Sequence, residues 1–303
     1  MSDVIVQKKQ RESNIELLRI IMMIIIVGHH FIVNSGITEA ININILKSSC
    51  GIKDYFALVF GWGGKTAINV FLLITGYFSC TQNFNLRKII NFCCEIMFYK
   101  VAIYFIFLFS GYEQFNIIDF GKMILSIPYG FGKGFTSSYV ALYFCTPFIN
   151  KLIQSLDKKN FEKLIVVLLV IFTGISTFFL NTSFEYLGWY TTVYLIGAYL
   201  RLYPLSWFDN KKVVGGGMAI SLLLSWLSVL FILFVSNKIG KFLPYFYFVS
   251  DSNKILAIST AIYTFLFAKQ INIGCNKFIN LLAASTFGVL MIHANSATMR
   301  KWL

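Results

Sequence analysis

Thirteen residues near the start of the chain, Arg19-Ile-Ile-Met-Met-Ile-Ile-Ile-Val-Gly-His-His-Phe31, restrict what it can become. No charge stands between the arginine and the histidines, and with its flanks the run is long enough for most of a membrane-spanning helix. Ionisable groups in such a span are costly and mark functional pathways. Helix geometry decides which histidine belongs with the arginine. At about 100° per residue, Arg19 and His30 end about 20° out of phase, whereas His29 falls about 80° away. Glu16, Met23 and Ile26 share the Arg19–His30 face. A rise of about 1.5 Å per residue puts the pair roughly 16 Å apart along the axis. One face therefore carries a permanent cation toward one side and a titratable base toward the other.

The rest of the chain has the same character. Its 303 residues are 57% hydrophobic and only 13% charged, with a mean hydropathy of +0.71. That excludes a soluble domain, and the alternation of a membrane β-barrel is absent. The expected fold is all-α, a polytopic membrane bundle of about nine spans. The apolar segments fall at 15–33, 55–78, 89–109, 137–149, 164–180, 186–203, 213–235, 255–268 and 278–293. They form one transmembrane domain over 15–303, after a polar segment 1–14 without a signal-peptide pattern. No internal repeat is visible, which counts against transporters built from inverted repeats. Six cysteines lie scattered without a Cys-x-x-Cys pair, so neither a metal site nor a disulfide framework is indicated.

The net charge of +13 would suggest nucleic acid in a soluble chain. Here the cations lie in short loops between apolar segments, so the expected partner is the lipid bilayer and not nucleic acid. Lys8, Lys9 and Arg11 precede the first span, and Arg87, Lys88, Lys151, Lys158 and Arg201 fall on the same side. The opposite loops are sparser. This predicts a multi-pass protein of the cell membrane with a cytoplasmic N-terminus and, for nine spans, an external end at Leu303.

With these residues in view, the chain resembles membrane-bound acyltransferase family 3, whose first helix carries an arginine and a histidine separated by ten residues, here Arg19 and His30. Asn69-Val-Phe-Leu-Leu-Ile-Thr-Gly-Tyr-Phe78 resembles the family's second signature, closing on Ser/Thr-Gly-Tyr-Phe. Phe135 to Asn150 is similar to its tyrosine-rich helix ending in Pro-Phe-x-Asn, although Gly134 stands where members often carry a tryptophan. Tyr194-Leu-Ile-Gly-Ala-Tyr199 and Ser285-Thr-Phe-Gly-Val-Leu-Met-Ile-His293 match two more stretches. The family usually continues into a tenth span, which is missing here.

The resemblance implies an O-acyltransferase that moves an acyl group, commonly acetyl, onto a sugar hydroxyl of a cell-surface polysaccharide or a lipid-linked sugar. No permanently bound cofactor is implied; acetyl-CoA is the co-substrate. Such transfer needs a base, donors for the oxyanion and a hold on the coenzyme phosphates. His30 is assigned as base, and Arg19, with Arg87 and Lys88, as the contact for acyl-CoA phosphates. His293 is a second catalytic candidate, and Tyr139, Trp189 and Tyr194 are expected along the acceptor groove. Glu95 and Lys100 are polar residues within the third span. No Gly-x-Ser-x-Gly elbow is present, which favours direct transfer. The alternative is a non-catalytic membrane protein, a transporter or truncated inactive homologue, with Arg19, Glu95 and His30 lining a path.

Overall fold

The computed structural model describes residues 12–130, 134–179, 186–294 and 299, and all regular structure among them is helical. Residues 1–11 of the expected N-terminal segment, Leu180 and the external end at Leu303 lie outside the described residues. In chain order the helices are α1 (Ser13–Asn34), α2 (Ile37–Leu46), α3 (Ile52–Gly61), α4 (Gly64–Ser79), α5 (Leu86–Phe109), α6 (Ile117–Ile124), α7 (Ser126–Tyr129) and α8 (Phe135–Ser155). Then come α9 (Lys158–Leu169), a π-helical stretch Val170–Ile175, α10 (Ser176–Phe178), α11 (Tyr186–Leu202), α12 (Lys211–Ile239), α13 (Ile255–Lys269), α14 (Lys277–Ala284) and α15 (Thr286–Ala294). Several starts are written in the sequence. Asn85, Asn116, Asp157, Asn210 and Asn276 each accept from a backbone N–H in the first turn of the helix that follows.

Six helical segments are long and apolar enough to cross a membrane: Ser13–Asn34, Ile52–Ser79, Leu86–Phe109, Lys158–Phe178, Lys211–Ile239 and Lys277–Ala294. The other three expected segments are helical as well, in α8, α11 and α13, but α11 has 17 residues and α13 only 15, short of a full crossing. Three of the six are not single helices. α3 and α4 meet at Trp62–Gly63, α9 passes through the π-helical stretch into α10, and α14 gives way to α15 at Ser285.

The bundle is organised around α4, which packs on α11, α1 and α13. Glycine makes the closest of these contacts possible. A Cβ on Gly76 would strike the backbone carbonyl of Tyr194, and one on Gly197 would lie 2.5 Å from the Leu73 carbonyl oxygen, so the α4 and α11 backbones touch. The α3–α4 joint fits α1 in the same way. A Cβ on Gly61 would come within 2.8 Å of Ile32, one on Gly63 within 2.6 Å of Ile25, and one on Gly64 would run into the His29 ring.

Two buried asparagines tie this centre together. Asn69 Nδ2 donates to the Ser252 carbonyl at 2.6 Å while its Oδ1 accepts from Trp189 Nε1 at 3.1 Å. Asn150 Nδ2 donates to the Ser79 carbonyl at 3.0 Å, and its Oδ1 accepts from the Tyr194 hydroxyl at 2.8 Å. The wide π turn is held from outside. Asn253 Nδ2 donates to the Phe172 carbonyl, Lys254 Nζ to that of Ser176, and the Tyr247 hydroxyl to that of Thr177. Away from this centre the helices present apolar side chains outward, among them Phe98, Ile106 and Phe109 on α5 and Leu223 and Phe231 on α12. Apolar faces of this extent are rare on water-soluble monomers and suit hydrocarbon.

Candidate active site

A cavity of about 830 Å³ runs along α1, whose contribution follows one helical stripe: Arg19, Met23, Ile26, His30, Val33 and Asn34, with His29 beside it. From Arg19 to Asn34 is about 22 Å of helix. The facing walls are Lys65, Ile68, Phe71 and Thr75 on α4, Phe92 and Lys100 on α5, and Thr286, Phe287, Leu290 and Met291 on α15. Thr136, Ser137 and Tyr139 from the first turns of α8 and Phe246 and Ser250 from the loop before α13 complete it. Polar and cationic groups stand toward the two ends, and the middle is lined by aliphatic and aromatic side chains.

At one end Arg19 makes no ion pair with a carboxylate among the described residues, and its Nε is buried without a hydrogen-bond partner. A buried donor left unmade costs about 1–3 kcal/mol, so the guanidinium is held against a gradient that an anionic ligand would relieve. Tyr139 stands near enough for the Arg19 charge to act on its hydroxyl. Thr75 Oγ1 donates to the Phe71 carbonyl at 2.9 Å, so at its 2.8 Å contact with Tyr139 the tyrosine is the donor.

At the other end three imidazoles stand in a row. The His29 and His30 rings are 5.8 Å apart, and those of His30 and His293 are 5.1 Å apart. His29 Nδ1 is 2.6 Å from the Gly61 carbonyl oxygen, and its ring lies against Phe246. His30 Nδ1 is 3.0 Å from His293 Nε2, and His293 Nδ1 is 2.6 Å from the Val289 carbonyl oxygen. Beside them Lys65 faces Asp251 at 4.0 Å. Lys254, in the same outer loop, has its ammonium over the Tyr247 ring; burial pushes its pKa below the ordinary lysine value, with Asp251 opposing the shift.

The structure gathers Arg19, His30 and Tyr139 on one cavity and sets His293 directly behind His30. It does not bring the other expected site residues there. Arg87 and Lys88 are exposed at the start of α5, where the Lys88 ammonium donates to Gln82, and neither lines the cavity. Trp189 and Tyr194 are corrections to the expected acceptor groove: both are fully buried, with their polar ends committed to Asn69 and Asn150. Glu95 is exposed on α5, whereas Lys100 faces the cavity. His29, expected to point away, lines the cavity as well, because Gly64 leaves room for its ring. Lys65 and Thr75 escaped the sequence reading. Lys65 follows the Gly-Trp-Gly-Gly joint and Thr75 opens Thr-Gly-Tyr-Phe, so both carried a signal. No family model, curated protein or solved structure matches the chain.

Proposed function

We propose that the protein is an integral membrane O-acyltransferase that moves an acyl group, acetyl in the simplest case, from acyl-CoA to a sugar hydroxyl of a cell-surface polysaccharide or its lipid-linked precursor. In this reading it belongs with membrane-bound acyltransferase family 3 and lies in the cell membrane with its N-terminus in the cytoplasm. One observation carries the proposal. A single cavity joins an arginine without an anionic partner to an oriented histidine, and between them lies an apolar sleeve.

The arrangement suits a long thioester donor. Arg19 holds the coenzyme phosphates through its planar fork. The flexible arm of the coenzyme lies in the sleeve past Met23, Ile26 and Phe71 and brings the thioester carbonyl to His30. His30 takes the proton of the acceptor hydroxyl as the oxygen attacks that carbonyl. The carbon–sulfur bond then breaks, and the leaving thiolate recovers the proton from the imidazolium. The atoms balance without a covalent enzyme intermediate.

The decisive experiment incubates membranes with radiolabelled acetyl-CoA and follows label into polysaccharide, comparing wild type with His30→Ala at matched abundance. The expected loss is on the order of 10²–10⁴-fold, and His29→Ala, whose ring is tied to the Gly61 carbonyl, loses less. A His30→Ala variant as active as wild type sinks the proposal. A transporter using the same passage would carry a solute across and label nothing.

A further inference from the structure

We infer that His293 is a positioning residue: it fixes the tautomer of His30 and accepts a share of the proton that His30 takes up. The inference rests on the acyltransfer reading of His30. It assigns His293 a place behind the base and not in contact with substrate, because His293 is buried and, unlike His30, does not line the cavity.

The order of the hydrogen bonds follows from what each atom can do. The Val289 carbonyl oxygen only accepts, so at 2.6 Å the proton between it and His293 belongs to Nδ1. A neutral imidazole protonated at Nδ1 carries its lone pair on Nε2. That lone pair faces His30 Nδ1 at 3.0 Å, so His30 Nδ1 is the donor. The lone pair of His30 is thereby placed on Nε2. The chain of reasoning begins at a backbone carbonyl one turn back on α15, a group that neither titrates nor rotates away while the helix stands.

The same chain acts during transfer. When Nε2 of His30 gains the hydroxyl proton, its Nδ1–H becomes part of a cation, and the bond to His293 Nε2 becomes charge-assisted and stronger. The proton can move part of the way to His293, whose own Nδ1–H remains on Val289. No atom leaves the pair until the proton returns to the thiolate. The interaction thus strengthens as charge develops, which is the condition for lowering a barrier and not merely for binding.

The two roles of the imidazole, acceptor and anchor of α15, separate by substitution. His293→Leu fills the space without an acceptor, whereas His293→Gln restores an acceptor oxygen at similar reach. In the labelled-acetyl assay, at matched membrane abundance, His293→Leu should lose on the order of 10–100-fold in kcat, the usual cost of removing a histidine's orienting partner, with KM for acetyl-CoA unchanged. His293→Gln should recover most of that loss. If the leucine variant does not accumulate, His293→Asn, one methylene too short, replaces it and should stay low while the glutamine variant stays high. Equal losses in the glutamine and apolar or short variants would mean an anchoring role only and overturn the inference, as would a leucine variant with wild-type kcat. Those two results leave the acyltransfer reading standing if His30→Ala is inactive. A wild type that transfers nothing, or an active His30→Ala, overturns both.

Discussion

The helices around α4 and the flank formed by α5 and α6 are held by different means. In the span Ile52–Ser79, 67% of the most apolar window is buried within the protein, against 17% for α5. At the α4–α11 crossing the backbones touch through Gly76 and Gly197, and Asn69 and Asn150 bridge buried groups that would otherwise lack partners. α5 makes far less of the interior and leans on α15 and α8. Yet both regions face the cavity, α4 with Lys65 and Thr75 and α5 with Phe92 and Lys100. One wall of the site is specified by fit and hydrogen bonding, and the other depends on the bilayer to press it inward. Lipid tails are as apolar as leucine, so a helix lying in them gains little by packing on its neighbours.

That contrast is breakable at graded positions. The largest effect is expected at the glycine crossing. Gly76→Leu drives a side chain into the Tyr194 carbonyl, which neither helix can yield, and size-exclusion chromatography in detergent should show no monodisperse protein. Recovery of well-behaved Gly76→Leu protein would show that α4 and α11 are not fitted as described. Next comes Asn69→Ala, which strands Trp189 Nε1 and the Ser252 carbonyl inside the bundle. A loss on the order of 2–5 kcal/mol follows from two unpaired buried groups, read as a lower Tm of purified protein. The smallest belongs to the flank. Phe98→Ala, on the exposed face of α5, should change stability by no more than about 0.5 kcal/mol; a drop comparable to that of Asn69→Ala would mean that α5 is packed as firmly as α4.

Much of this architecture is readable in the chain, for reasons that differ by residue. The stripe from Arg19 to His30 is legible because a helix converts spacing into direction, and that stripe lines the cavity. The width of the cavity is not legible from α1 alone. His29 enters it because of glycines some thirty residues away, which no count along one helix reveals. The aromatic residues of α11 mislead for a related reason. Trp189, Tyr190, Tyr194 and Leu195 are all buried, so the helix is enclosed on every side and its sequence contains no solvent face against which to read a groove face. The interruptions at Trp62–Gly63 and Ser285 sit inside apolar runs, where hydropathy continues although the helix does not. The pairing of His30 with His293 joins helices 263 positions apart in the chain, and nothing local announces it.

The wide turn between α9 and α10 has a genetic corollary. A π turn holds one residue more than an α turn over the same stretch, so the segment Val170–Ile175 behaves as an insertion that the fold has learned to use. Removing one residue there would give a more regular helix and a worse protein, because everything after it would rotate by about 100° and carry the Ser176 and Thr177 carbonyls away from Lys254 and Tyr247. Single-residue deletions scanned from position 164 to position 178 should therefore be tolerated nowhere in that window, even though deletion within 170–175 alone improves local helix geometry. The extra residue acts as a reading-frame marker for the outer loop, and a sequence that loses it must re-site that loop at the same time.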